Sequence, residues 1–235
     1  MLPAAILAGG LATRLRPLTE KIPKALVDIA GEPFLWHQLR LLHSTGVRHV
    51  VMCVGHMAER IEESAGDGSR FGLTIEYSHD GAAPLGTAGA IKRAIPMLGD
   101  NFFVVYGDSY LPCNWNAVEQ AFFTLGKPAL MTVFQNEGQW DYSNVEFVDG
   151  RIVAYNKELR TPRMRHIDYG LGVFHKAAFD RIAEDRPSDL ATLYQELLAE
   201  GQLAGFEVPA RFYEIGSFAG IQELELYLSS SLRDP

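Results

Sequence analysis

Short apolar runs alternate with segments of helical period along the first half of the chain. Ala4-Ala5-Ile6-Leu7, His49 to Val54, Leu73 to Tyr77 and Phe102-Phe103-Val104-Val105-Tyr106 have the length and the β-branched or aromatic content of buried strands. Between the first two runs, Phe34, Leu35, Leu39, Leu41 and Leu42 recur at helical spacing, with Pro33 at the start and Gly46 at the stop. Met57 to Ala65 predicts a second, shorter helix, closed by the turn-rich Gly66-Asp67-Gly68-Ser69. This alternation predicts an α/β chain whose mostly parallel sheet is covered on both faces, with right-handed crossovers.

The texture changes from Trp140. Asp141 to Tyr155 reads as two strands around the Asp149-Gly150 hairpin turn. An irregular basic segment follows with Arg160, Arg163, Arg165 and His166, and Asp168 to Phe174 returns as a strand. Residues 140–175 are expected to form an antiparallel insertion over the sheet's edge. Ala191 to Ala199 predicts an amphipathic helix and Leu203 to Val208 a short strand. Phe212 to Ser217 leads into a final helix ending at Leu228, with frayed residues from Ser229 to Pro235. Pro84-Leu85-Gly86-Thr87-Ala88-Gly89 reads as a loop feeding a helix at Ala90, with Thr87 a candidate N-cap.

Composition narrows the class. A chain of 235 residues, 47% hydrophobic, is long enough to bury about 70–75% of its unfolded surface, and one domain over 1–235 is expected. A net charge of -8 argues against a nucleic-acid partner, which would need a basic face. No apolar run reaches the ~18 residues of a membrane span. The apolar N-terminus stops at Gly9 without a basic leader, unlike a signal peptide. The two cysteines, Cys53 in a core strand and Cys113 in a polar turn, suggest neither a disulfide framework nor a zinc site. A cytoplasmic protein is expected, with homo-oligomerisation left open.

Against that acidic background, one stretch is basic. From Met1 to Val27 the ionised side chains are Arg14, Arg16, Lys21 and Lys24, opposed only by Glu20. They surround Gly9-Gly10, where the absence of side chains lets the backbone turn sharply at the exit of the first strand. Successive N–H groups on such a turn form a nest for an anion, and a polyphosphate explains the cations. Neither GxGxxG nor GxxxxGK[ST] occurs, which removes the dinucleotide fingerprint and the Walker loop.

The pattern Gly9-Gly10-Leu11-Ala12-Thr13-Arg14-Leu15-Arg16-Pro17-Leu18-Thr19, followed by Pro23-Lys24-Ala25-Leu26, resembles the signature loop of the sugar-1-phosphate nucleotidyltransferases, or nucleotide-sugar pyrophosphorylases. Leu85-Gly86-Thr87-Ala88-Gly89 is similar to that family's second nucleotide-binding element, against base and ribose, and Gly107-Asp108 to its Gly-Asp. The resemblance implies an α/β, Rossmann-like three-layer sandwich with a mostly parallel central sheet. It also implies attack by a sugar 1-phosphate on the α-phosphorus of a nucleoside triphosphate, with magnesium as cofactor. Leu7, Ala8, Gly9, Gly10, Thr13 and Arg14 would hold the nucleotide, with Leu85, Gly86 and Thr87 at base and ribose. Arg14 would stabilise the departing pyrophosphate, and Lys24 the charge at the α-phosphate. Asp108 and Glu214 would hold Mg²⁺. Lys157 would bind the sugar phosphate, with Asn156, Ser143 and Gly170 beside the sugar.

Four departures stand out from that pattern: Ala12 for a glycine, Ala25 for a proline, Asn156 for a glutamate, and Glu214 where the family has aspartate. GTP is preferred to UTP by resemblance to heptose- and mannose-phosphate guanylyltransferases. The alternatives are a cytidylyltransferase for another phosphorylated small molecule and a non-catalytic nucleotide-sugar sensor.

Overall fold

The computed structural model describes residues 1–10, 15, 17–184 and 186–231. Strand β1 (Ala4–Leu7) is followed by a small hairpin of β2 (Asp28–Ile29) and β3 (Glu32–Pro33). Then come α1 (Phe34–Thr45), β4 (His49–Val54), α2 (Ala58–Ala65), β5 (Thr74–His79), α3 (Gly86–Leu98) and β6 (Asn101–Tyr106). The second half holds β7 (Ser109–Tyr110), α4 (Trp115–Leu125), β8 (Ala129–Gln135), β9 (Val145–Val148), β10 (Arg151–Tyr155) and β11 (His166–His175). It closes with α5 (Leu190–Ala199), β12 (Leu203–Glu207), β13 (Tyr213–Glu214) and α6 (Phe218–Ser231).

Strands β6, β1, β4 and β5 lie side by side in that order, all parallel. Beyond β6 the sheet turns antiparallel at β11, continues to β8, and ends with β12 parallel to β8. The alternation of β1 explains the layers. Ala4 and Ile6 face a core with Leu35 and Leu39 of α1, Ile61 of α2 and Trp115 of α4. Ala5 faces the opposite core, with Ile91 and Ala94 of α3 and Leu193 and Leu197 of α5. The chain steps outward from β1 to β4 and β5 with α1 and α2 on one face, then returns to β6 with α3 on the other. That reversal is what crossovers of one hand require, and it puts a topological switch point between β1 and β6. Ligands collect beyond the carboxyl ends of strands at such a point.

Three expectations change, and one stretch adds elements that were not read. The stretch 86–89 is the first turn of α3 rather than a loop before it. The reason is tertiary: Gly86 has φ +70, and a Cβ there would stand 2.5 Å from Ser188 O. The chain ahead of α5 therefore packs directly onto the α3 backbone, and Ser188 N–H donates to Leu85 O at 2.8 Å. Residues 140–175 divide: the β9–β10 hairpin touches β11 at one registered pair, whereas β11 itself lies inside the central sheet between β6 and β8. α4 and β8 occupy a stretch from which no element was read. Of the stretch 229–235, expected to fray, residues 229–231 continue α6 and 232–235 lie outside the described residues.

Candidate active site

The carboxyl ends of β1 and β6 are tied together, with Gly107 N–H donating to Leu7 O at 2.9 Å. Leu7, Ala8, Gly9 and Gly10 leave β1 along one wall of a cleft of about 410 Å³, and Gly107 and Asp108 leave β6 along its floor. Among the described residues no atom lies within 4 Å of where a Cβ on Gly10 would point.

Lys24 starts a short 3-10 turn and extends its ammonium into the cleft, where Nζ meets Asp108 Oδ2 at 2.6 Å. Glu214 reaches the same place through strand pairing. β13 runs antiparallel to β7 with Glu214 opposite Ser109, and Ile215 N–H donates to Asp108 O at 3.0 Å. The Glu214 carboxylate folds back so that Oε2 accepts from Gly216 N–H at 2.8 Å. A Cβ on Gly216 would collide with that carboxylate and stand 3.1 Å from Lys24 Nζ, so a glycine here lets the cation and both carboxylates converge.

Gln38 is a functional candidate that sequence reasoning missed. It lies 1% exposed within the apolar stripe Phe34, Leu35, Leu39 and Leu42 of α1. Its Nε2 donates to Tyr106 O at 2.9 Å and to Ser109 O at 2.8 Å, bracketing Gly107-Asp108. The available signal was a polar residue at a buried phase of the helix. Asp80 is a second omission: it follows β5 and lines the cleft wall.

The other expected nucleotide residues also border this space. Gly86 and Thr87 line the cleft, while Leu85 is buried beneath it as the residue capping α3. Thr87 caps a different helix from the one expected, since its Oγ1 accepts from Leu190 N–H at 2.7 Å, at the start of α5. Thr13 and Arg14 lie outside the described residues.

On the acceptor side, Lys157 Nζ stands 5.4 Å from the ring centroid of Tyr106, a cleft residue. Gly170, at φ +95, packs against Tyr106 and Ser109. Asp168 accepts from Gly170 N–H at 3.0 Å and from the Tyr155 hydroxyl at 3.4 Å; burial raises its pKa, partly offset by the Lys157 charge. The Asn156 side chain is engaged locally, its Oδ1 accepting from Glu158 and Leu159 N–H at 2.8 Å each. Ser143 lies apart from the cleft in a neighbouring depression with Tyr142 and Arg160, its Oγ accepting from Gly138 N–H at 3.2 Å.

As a metal site, Asp108 and Glu214 offer two hard oxygen donors on adjoining backbones. No cluster of three or more His, Cys, Asp or Glu suited to a metal occurs among the described residues. Two carboxylates still fit Mg²⁺, which is commonly held by one or two plus phosphate oxygens and water.

A glycine turn, a cation and two carboxylates beside a switch point suit an α/β protein that handles a phosphorylated ligand. Residues 3–209 match the family described as Nucleotidyl transferase, and the chain belongs to that family. It is 35% identical over 222 residues to the mannose-1-phosphate guanylyltransferase catalytic subunit beta of Xenopus tropicalis, covering 91% of this chain and 61% of that protein. It is 29% identical to the N-acetylmuramate alpha-1-phosphate uridylyltransferase of Neisseria meningitidis, covering 94% of this chain and 96% of that one. The crystal structure of HddC from Yersinia pseudotuberculosis complexed with GMP-PN shares the fold, with TM-score 0.81 and 23% identity over 97% of this chain and 100% of that one. The chain thus spans about 61% of the length of guanylyltransferases it matches. No helix among the described residues is long and apolar enough to cross a membrane.

Proposed function

We propose that this chain transfers a nucleotidyl group from a nucleoside triphosphate to a sugar 1-phosphate, releasing pyrophosphate. The observation that carries the reading is the Lys24 ammonium, 2.6 Å from Asp108 in a cleft whose other wall is the Gly9-Gly10 backbone. An oxygen of the sugar phosphate attacks the α-phosphorus, a new P–O bond forms, and the bond to the β-phosphate bridging oxygen breaks. A phosphate monoester has a second pKa of about 6, so the nucleophile is already largely ionised at neutral pH and no general base is needed. The protein's task is positioning and charge neutralisation.

Gly9 and Gly10 present backbone N–H groups to the phosphates. Lys24 faces the charge that builds at the α-phosphate, and Arg14 the departing pyrophosphate, for which its planar fork is suited. Lys157 and the Gly170 backbone take the sugar phosphate side. Asp108 and Glu214 would hold Mg²⁺, which when bound neutralises phosphate charge and reverses the sign of the local field between the carboxylates. The names of the guanylyltransferase relatives support GTP over UTP. The reactants are cytoplasmic metabolites, and we place the protein there.

A pyrophosphate-release screen crossing four nucleoside triphosphates with a panel of sugar 1-phosphates in Mg²⁺ tests the reading. One dominant pair is expected. Nucleotide binding without turnover for any pair would instead make the chain a sensor.

A further inference from the structure

Asp108 and Glu214 are brought together by β7 and β13, strands of two residues each. A pairing so short is marginal by itself, so something outside it must fix its place. The neighbouring side chains show what does. Phe212 points inward, its ring buried against Phe134 and Tyr169 at centroid distances of 6.2 and 6.0 Å. Arg211 and Tyr213 turn the other way, as alternation along an extended segment requires. Tyr213 stacks on Tyr227 of α6 with centroids 4.4 Å apart, and Tyr110 of β7 meets the same ring edge-on at 6.0 Å. The Arg211 guanidinium carbon stands 3.3 Å from the Trp140 ring centroid and 4.7 Å from that of Tyr213, while its Nη2 donates to the Glu223 carboxylate of α6.

Each of these contacts ties the Glu214 segment to a different part of the molecule. Gly220, Glu223 and Tyr227 recur at helical spacing and form one stripe of α6. Along that stripe a Cβ on Gly220 would stand 2.2 Å from Glu214 O, Glu223 meets Arg211, and Tyr227 meets Tyr213. α6 therefore covers the outer side of the segment that ends in Glu214. Trp140 supplies the other anchor. It belongs to the loop after β8, where its N–H donates at 3.3 Å to Oδ1 of Asn136, itself 1% exposed. The indole stays 44% exposed, and it is Arg211 that covers its face.

Stability alone does not account for an arginine here. Its Nε is buried with no acceptor among the described residues, a cost that an apolar side chain would avoid. Replacing a partly buried ion pair by residues without charge is often neutral or stabilising. What an apolar side chain could not do is grip two aromatic faces and a carboxylate at once, which the planar guanidinium does. We propose that Arg211 is a positioning residue: held by Trp140, Tyr213 and Glu223, it fixes the strand that carries Glu214 and so keeps that carboxylate beside Asp108 for the metal. The inference rests on the reading of Asp108 and Glu214 as the Mg²⁺ site.

Binding of Mn²⁺ alone, followed by the EPR signal of the free ion, tests this without requiring turnover. Arg211→Lys keeps the charge but loses the planar face, and Arg211→Met/Glu223→Gln removes both charges together. Each should weaken Mn²⁺ binding about tenfold, the low end of the loss on removing a group that orients a metal ligand. Each should also melt within about 4 °C of wild type. Because Arg211 acts through Glu214, Arg211→Lys should add no more than about a twofold loss to that of Glu214→Gln. Trp140, on the surface, carries the test should the Arg211 variants not fold: Trp140→Ala should weaken Mn²⁺ binding about threefold, and Trp140→Phe, which keeps a ring for the cation, should not. Wild-type Mn²⁺ affinity in either Arg211 variant or in Trp140→Ala overturns the proposal, whatever the melting temperature does. Losses that multiply with that of Glu214→Gln overturn it as well, as does a wild type that binds no Mn²⁺. Turnover of a sugar 1-phosphate alongside unchanged Mn²⁺ affinity in the variants would refute the Arg211 role and leave nucleotidyl transfer standing. Arg211-dependent Mn²⁺ binding without any turnover would do the reverse.

Discussion

Replacing Gln38 by Leu should damage activity more than its distance from any substrate suggests. The side chain donates two hydrogen bonds, at 2.9 and 2.8 Å, to the carbonyls on either side of Gly107-Asp108. Each buried carbonyl left without its donor costs about 1–3 kcal/mol. Gln38 Oε1 is itself buried without a partner, so removing it returns part of that loss. A net destabilisation of about 2 kcal/mol follows. In a chain of this size that lowers the melting temperature by about 4–8 °C.

The catalytic effect should exceed this. Releasing the Tyr106 and Ser109 carbonyls lets Asp108 and its Lys24 partner drift, and a misplacement near 1 Å costs on the order of 10²-fold in rate. We therefore expect kcat to fall roughly 10- to 100-fold, with the KM for nucleoside triphosphate within about threefold of wild type. Pyrophosphate release at a temperature well below the melting transition separates the two effects. Gln38→Glu preserves the volume but, when ionised, has no donor, so it should be no better than Leu. If Gln38→Glu keeps wild-type kcat and melting temperature, the two hydrogen bonds do not position Asp108 and the reasoning fails.

Three further outcomes are expected. Lys24→Ala should lower kcat about 10²- to 10³-fold, the cost of one preorganised donor at a developing charge, and change stability by no more than about 1 kcal/mol because the pair is partly solvated; a kcat within a factor of a few would remove Lys24 from the mechanism. Lys157→Ala should raise the KM for the sugar 1-phosphate much more than that for the triphosphate, and equal rises would end the division between the two sides of the cleft. Asp168→Asn should raise the melting temperature at pH 7.5, with the gain shrinking toward pH 4. Burial lifts the Asp168 pKa above its ordinary 3.8, so the folded form retains a proton that the unfolded chain releases, and stability is lost as pH rises through that window. A gain independent of pH would assign the effect to packing.

The parallel half of the fold was legible because β1, β4 and β6 carry apolar runs, β5 alternates buried Ile75 with exposed polar neighbours, and Gly46 stops α1. What was not legible is long-range. Gly86 and Gly89 look like loop glycines until the 186–188 backbone is seen lying on α3. The place of β11 between β6 and β8 depends on pairing that local pattern does not encode. Within the site, Lys24, Asp108 and the Gly9-Gly10 turn could be named because their motifs resemble the family's. Gln38 could not, since its role consists of bonds to residues 68 and 71 positions away. The proximity of Glu214 to Asp108 likewise depends on the two-residue pairing of β7 with β13, too short to leave a periodic signal.

The central claim, transfer of the α-phosphoryl nucleotide unit to a sugar 1-phosphate, is tested most directly by following the label. The protein is incubated with Mg²⁺, a sugar 1-phosphate identified in the pyrophosphate screen, and GTP carrying ³²P at either the α or the γ position. The account predicts that α-label moves quantitatively into a nucleotide sugar while γ-label leaves in pyrophosphate, one equivalent of each per turnover. Appearance of γ-label on the sugar phosphate, or pyrophosphate release without labelled nucleotide sugar, would contradict it.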